Sequence, residues 1–549
     1  MVGFGYALVL LIRFAQKNYG VKEIYLVLGF IAFEELLLNI DLIANKLMAK
    51  ISYPMFAYLR SFTLSRFLDQ DLAWHQSQTS GKLAAQANQG VGKMVQSAEG
   101  LARDVFGLSI QTGLTLVPLI LFSKYTAPIF LLALGLFVWL NQLEGRARAA
   151  SRLSRFDAYA RDSGIFTEYI QAAEPISLYR RKADLMQGYG ELQQQIVETG
   201  LNETKIGNKY SAQKNRVLGY AKAICMGIWI WQLRAGQLDM AMWWYVYGLM
   251  NQLLTSVWGY ASLFDALQEA LQPIRLWLNL IEAEPKIRPI DELPGEEFSI
   301  PDQVGIEFAN VEFSYTNGKK VMKNFNLQIE PGKITGIVGH TGGGKTTLRN
   351  LACRLYDIQS GQITISGRDI KRWPLDRLRG LYSFVFQGGA VFFSNTTVAE
   401  TLKFTRPSAS TAEIETAAQA ACIHEDILAM PQGYQTLIGE HGVNLSGGQK
   451  QRFALAQALL SLPDRKIFIL DEFTSQLDSF TESKILQNLK ENFPGRTVVI
   501  IAHRLSTILN IADKIMVLSD GEIVEQGSHA ELVANGRFYA DLARLQAIA

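Results

Sequence analysis

Cysteine is scarce in this sequence. Three stand in 549 residues, Cys225, Cys353 and Cys422, each far from the next, which fits neither a disulfide framework nor a metal-ligand spacing. The plain reading is a reduced, cytosolic setting for the second half of the chain. An excess of one charge is missing too. Lys and Arg number 53 against 51 Asp and Glu, a net charge of +2, so no bulk field draws nucleic acid. The N-terminus lacks a signal peptide's pattern, because no basic region precedes its first apolar run and no small-residue cleavage site follows. That run, Val2 to Ile12, stops at Arg13, short of the ~20 residues a spanning helix needs.

What is present differs between the halves. The chain is 48% apolar and 19% charged, but long apolar runs fall only in the first part. Five reach spanning length, roughly Ile24–Leu47, Val105–Phe122, Ala127–Leu143, Val217–Leu233 and Met240–Leu263. Ser123–Thr126 and Arg234–Asp239 are tight connections. The long connections after Leu47 and after Leu143 carry the basic residues, among them Lys50, Arg60, Arg66, Arg148, Arg152 and Arg155. Positive charge near span ends places both in the cytoplasm, and their helical periodicity predicts spans that continue beyond the bilayer.

In the run Ile24–Leu47, Glu34, Asp41 and Asn45 share one helical face, with Glu35 and Asn39 on a neighbouring strip. Acids at membrane depth usually face a cavity, which points to a cationic cargo or a proton. The alternative is that Asp41 and Asn45 already lie beyond the bilayer. Trp229, Trp231, Trp243 and Trp244, near the outer ends of the last two runs, read as an interfacial aromatic belt.

Four prolines and alternating charge mark Pro285–Asp302 as a linker. Beyond it the pattern changes to strands: VGIEFANVEFSY, KITGIVG, KIFILDE, TVVIIAH and KIMVLSDGEIV. Helical segments separate them, which predicts an open α/β sheet with a helical insert over roughly Gly388 to Leu455. KITGIVG enters Gly339-His340-Thr341-Gly342-Gly343-Gly344-Lys345-Thr346, a P-loop in its required strand-to-helix context. There backbone N–H groups cradle phosphates, Lys345 supplies a charge, and the Thr346 hydroxyl can ligate Mg²⁺. Asp471 and Glu472 end a second strand. Asp471 suits Mg²⁺ held through water, and Glu472 suits a base that polarises the attacking water.

Residues 304–549 resemble the ATP-binding cassette family. LSGGQKQR, with Ser446, Gly447, Gly448 and Gln449, is similar to the family signature, and Ser475–Asp478 to its D-loop, ending at Asp478. Gln387 stands as the Q-loop glutamine, His503 as the switch histidine and Tyr315 as the adenine-stacking aromatic. The departures are His340 and Gly343, where Pro and Ser are more usual, and the bulky Phe473 and Gln476 beside the D-loop.

The resemblance implies an exporter-type half-transporter. Its transmembrane domain is residues 1–284, a linker covers 285–302, and the nucleotide-binding domain is 303–549, an α/β P-loop fold with a helical subdomain. The membrane domain of that fold has six spans, of which the first is incomplete here. The resemblance further implies ATP and Mg²⁺ as cofactors, with Thr347 also at the nucleotide and Gln387 joining Thr346 and Asp471 at the metal. Glu472, His503 and Gln387 are the implied catalytic residues. Two cassettes meet head to tail, so Ser446 and Gly448 serve ATP on a partner chain. A homodimer is favoured over a heterodimer, because no catalytic group is missing. Coupling helices are expected in Asp71–Leu83 and Phe166–Tyr179. The implied function is ATP-driven export of an amphipathic small molecule, peptide or lipid across a bacterial cytoplasmic membrane. Import by the same fold, for example of a ferric siderophore, is the alternative.

Overall fold

The computed structural model describes residues 21–547 apart from 123–124, 288–299, 316–317, 319, 341, 440–441, 443–444, 494 and 510, together with a minority of the side chains of 21–41. The run Val2–Ile12, the side chains of Glu34, Glu35 and Asp41, Thr341 and most of the linker therefore lie outside the described residues. The chain divides into two compact units. Met1–Gln70 with Trp74–Glu284 form one, and Asp71–Ala73 with Pro285–Ala549 form the other.

In the first unit the long helices are α1 (Val21–Leu68), α2 (Ser80–Gly100), α3 (Phe106–Phe122), α4 (Ala127–Gln171), α5 (Lys182–Arg234) and α6 (Met240–Ile281). A five-residue π-helical turn, Leu101–Val105, joins α2 to α3. Each of the five apolar runs lies in one of these helices or in that turn. At ~1.5 Å per residue α1, α4, α5 and α6 are roughly 60–80 Å long, twice a hydrocarbon core of ~30 Å. These helices are therefore longer than a bilayer crossing needs, as their periodicity predicts. Among the described residues one helix, α4, is long and apolar enough by length and composition to cross a membrane. Apolar side chains on α3 and α4, including Phe106, Ile110, Leu114, Leu132 and Trp139, are exposed, a surface that suits contact with lipid or with another protein. Asp239 starts α6 by accepting a 2.6 Å hydrogen bond from the Met242 N–H.

The expected aromatic belt fails at Trp229. It is fully buried against Leu119, Phe130, Leu218 and Met250, whereas Trp231 is 60% exposed. Two residues along a helix turn the side chain by ~200°, so one faces the bundle and the other faces away. Past the apolar part of α4 an ion network ties α4, α5 and α6 together. Glu144, 1% exposed, meets both Arg148 and Lys214 at 2.7 Å. Arg148 and Arg152 share Asp265 at 2.7 and 3.1 Å, and Arg152 reaches Glu203 at 3.0 Å. Several arginines of the positive-inside signal are thus also interhelical pairs. Short helices, Leu72–Ser77 and Ala173–Leu178, stand inside the two segments expected to hold coupling helices.

The second unit has two main sheets where the strand pattern predicted one. Ile306–Ser314, Lys320–Ile329, Ser360–Ile365 and Arg368–Asp369 form an antiparallel four-stranded sheet. The other has six strands, in the order Glu522–Gly527, Lys514–Ser519, Ile334–Gly339, Thr497–Ile501, Ile467–Asp471, Tyr382–Val385. All neighbours in it are parallel except the Glu522–Gly527 edge. Its central strands, IFILD and TVVII, are buried along their whole length, as parallel strands covered on both faces must be. The insert expected from Gly388 to Leu455 is helical, with Val398–Lys403, Thr411–Ala420, His424–Leu428 and the start of Gly447–Leu460.

Candidate nucleotide site

Ligand crevices in such sheets open at the carboxyl ends of parallel strands. The expected catalytic residues lie there because each directly follows a strand. The P-loop leaves Ile334–Gly339, Gln387 follows Tyr382–Val385, Glu472 follows Ile467–Asp471, and His503 follows Thr497–Ile501. The register holds them level, with Ile501 paired to Asp471 and the Ala502 N–H donating to Ile337 O at 3.1 Å.

A cavity of about 930 Å³ opens at this edge, lined by Tyr315, Gly342, Gly344, Lys345, Thr346, Thr347, Gln387, Asp471, Glu472 and His503, with Lys320, Lys323 and Asp520. Gly344 sits at the N-cap of Lys345–Ala352 with φ +106°, a conformation that requires glycine. Lys345 Nζ donates to the carbonyls of Gly339 at 2.7 Å and His340 at 3.1 Å. Burial lowers the Lys345 pKa, against the opposing pull of Glu472 and Asp471. His340 contributes its backbone to the loop while its ring stands edge-on to Phe538, 4.7 Å between centroids. The Tyr315 hydroxyl shares a 2.9 Å hydrogen bond with Thr347 Oγ1, and its ring packs edge-on to Phe313 and Tyr356.

Glu472 is held from three sides. His503 Nε2 lies 2.7 Å from Oε1, and Gln387 Nε2 donates to Oε2 at 2.8 Å. Its own N–H donates to Ile501 O at 2.9 Å while its φ is +52°. A left-handed non-glycine costs ~1–3 kcal/mol, a strain that is characteristic of functional positions. Asp471, 4% exposed, is raised above the ordinary aspartate pKa by burial, with Glu472 adding and Arg349, Lys345 and His503 opposing. Thr346, Gln387 and Asp471, which carry hydroxyl, amide and carboxylate oxygens, line one cavity. That hard, sparse donor set fits Mg²⁺, which keeps several waters and binds through one or two carboxylates plus substrate phosphates.

Ser446, Gly447, Gly448, Gln449 and Asp478 do not line this cavity. Ser446 caps the helix Gly447–Leu460 through a capping box. Its hydroxyl accepts from the Gln449 N–H at 3.2 Å, and Gln449 Oε1 accepts from the Ser446 N–H at 2.9 Å. Asp478 caps Ser479–Asn492 by accepting from the Thr481 N–H at 2.9 Å, which also lowers its pKa. The bulky residues beside the D-loop are accommodated. Phe473 is buried in the core, and Gln476 packs on the signature turn, where a Cβ on Gly448 would stand 2.9 Å from the Gln476 carbonyl oxygen.

Sequence reasoning missed three residues. Arg349 pairs with Asp471 at 2.8 Å. Gln451 donates to Ser475 Oγ at 2.7 Å and to Glu472 O at 3.3 Å. Gln546 accepts from the Leu505 N–H and donates to His503 O, both at 2.7 Å. Gln451 alone had a sequence signal, since it lies inside LSGGQKQR.

Residues 322–475 match the ABC transporter family model. The human "ATP-binding cassette sub-family B member 6" is 41% identical over 268 residues, 49% of this chain and 31% of that protein. The rat "Mitochondrial potassium channel ATP-binding subunit" is 43% identical over 48% of this chain and 37% of its own length. The "Heavy metal tolerance protein" of Schizosaccharomyces pombe is 40% identical over 52% and 33%. The chain thus spans about a third of the curated relatives it matches. A solved structure titled "Structure of a bacterial Atm1-family ABC exporter with ATP bound" superposes with a TM-score of 0.91 over 99% of this chain and 96% of that one, at 23% identity. Residues 322–475 thus carry an ABC transporter domain, and the chain as a whole has the fold of that bacterial ABC exporter.

Proposed function

We propose that the chain hydrolyses ATP to drive export, as one half of a dimeric transporter whose cassettes meet head to tail. The observation that carries this is the convergence of Gln387 and His503 on the two oxygens of Glu472 at the mouth of the P-loop cavity. The P-loop N–H groups and Lys345 hold the phosphates, and Tyr315 offers its ring to the adenine. Glu472 takes a proton from the attacking water as the water oxygen bonds to the γ-phosphorus and the bond from that phosphorus to the ADP oxygen breaks, so that ADP leaves, and His503 and Gln387 fix the carboxylate's direction. Thr346, Gln387 and Asp471 would hold Mg²⁺, which would neutralise charge on the phosphates.

Ser446, Gly447, Gly448, Gln449 and Asp478 act on ATP bound to the partner chain, a reading supported by their placement away from this chain's own cavity. A homodimer suffices, since the implied catalytic side chains Gln387, Glu472 and His503 all stand in this chain. The membrane is a bacterial cytoplasmic membrane, with the cassette on the cytoplasmic side. Within the helical unit, a cavity of about 960 Å³ is lined by Asn45, Gln96, Arg103, Asp104, Gln111 and Glu269 among others. Polar groups of both signs beside apolar Leu108 and Leu263 suit an amphipathic cargo.

The test is ATP-dependent accumulation in inside-out vesicles, with a panel of amphiphiles, peptides and lipids and the Glu472→Gln protein as the blank. Accumulation of one class supports export and names the cargo. Depletion of preloaded vesicles instead would reverse the direction.

A further inference from the structure

Arg349 stands four residues after Lys345 in the helix that follows the P-loop. Its Nη1 donates to Asp471 Oδ2 at 2.8 Å, with the two side chains 16% and 5% exposed. Nε and Nη2 both reach Asn350 Oδ1, at 3.3 and 3.1 Å. The guanidinium also lies 5.5 Å from the centre of the Phe386 ring, next to Gln387. The cation is therefore fixed by three neighbours, and the carboxylate it holds is the one assigned above to Mg²⁺.

We propose that Arg349 is a resident counter-ion of Asp471, which neutralises the buried carboxylate before nucleotide binds and thereafter opposes Mg²⁺ at the same site. Two cations sharing one carboxylate repel each other, and the repulsion is strong where water is largely excluded. A buried carboxylate without a partner is costly, so the pair also holds this edge of the sheet together. Magnesium must share Asp471 with the guanidinium or displace it. Either way the site takes up the metal only together with the negative phosphates of a nucleotide. This inference rests on the reading of Asp471 as a magnesium ligand.

The experiment uses the full-length protein and titrates MgCl₂ into a fluorescent ATP analogue, reading binding rather than turnover. Arg349→Leu is expected to lower the half-saturating Mg²⁺ about tenfold, in line with removal of a unit charge a few ångströms away. It is also expected to lower the melting temperature without ligand, and MgCl₂ alone should then restore the loss, as it should not in the parent. Arg349→Lys keeps the charge and should leave the half-saturating Mg²⁺ within about twofold of the parent, which isolates charge from packing. If Arg349→Leu does not fold, the Arg349→Leu/Asp471→Asn double variant is expected to fold and to bind the analogue with no response to MgCl₂ below the parent's range. Equal Mg²⁺ dependence in the parent and Arg349→Leu would overturn the inference. Binding by the parent that ignored Mg²⁺ altogether would instead overturn the reading of the site.

Discussion

His503 Nε2 and Glu472 Oε1 lie 2.7 Å apart, 31 positions removed in sequence and on adjacent strand ends. With Gln387 on the other oxygen, the carboxylate cannot rotate freely, which is what a base aimed at one water requires. Glu472→Gln keeps the shape and loses the basicity. It should bind ATP as the parent does and lose turnover by ~10²-fold or more. Phosphate release beside nucleotide binding checks this, and turnover near the parent's rate would remove Glu472 from the role.

Ser446→Arg should abolish turnover by placing a bulky cation where the partner's phosphate is received. A mixing experiment locates that phosphate. In a head-to-tail dimer, a Ser446→Arg chain paired with a Lys345→Ala chain rebuilds one complete site and leaves the other doubly broken. Activity should reappear on mixing two inactive proteins. If the mixture stays inactive although the heterodimer forms, the signature does not act in trans.

Gln546 touches the switch segment twice, accepting from the Leu505 N–H and donating to the His503 carbonyl. Gln546→Ala frees that segment without touching the cavity lining. The expected outcome is kcat reduced several-fold with KM for ATP little changed, the pattern of an interaction that matters in the transition state. A rise in KM alone would place Gln546 in binding.

In the helical unit Lys214 meets Glu144 at 2.7 Å and Asn141 Oδ1 at 2.9 Å, and it lies over the Phe137 and Trp258 rings. Lys214→Met strands part of a buried negative charge and should destabilise by about 3–5 kcal/mol. Adding Glu144→Leu should recover much of that loss despite the partners it removes from Arg148, because the unpaired charge goes with it. Thermal unfolding in detergent of the two single variants and the double decides. Additive losses would mean the two residues do not work as a pair.

What the sequence made legible was local. Lys345 and Thr346 follow from the spacing of one loop, and Asp471 and Glu472 from the end of one apolar strand. The long apolar runs predict helices by their length, and Pro118 in one of them does not end its helix. Arg349 and Asp471, 122 positions apart, could not be paired from the chain, since no periodicity records which strand end faces which helix. Trp229 and Trp231 look alike in a hydropathy profile and differ only in which way the helix is turned. The four-stranded sheet escaped for the same reason. VGIEFANVEFSY announces a strand, but its antiparallel partners are set by register with Lys320–Ile329 and Ser360–Ile365.

The capping box at Ser446 gives the signature turn a direction. Its Oγ already receives the Gln449 N–H, and the Ser446 N–H is already given to Gln449 Oε1. One lone pair of the hydroxyl is thus engaged inward, which leaves its proton to give to a further acceptor at the head of the helix. A helix start that offers such a donor favours oxygen-rich anions. The turn is in this sense a socket whose wiring is finished on the inner side and left for an anion on the outer.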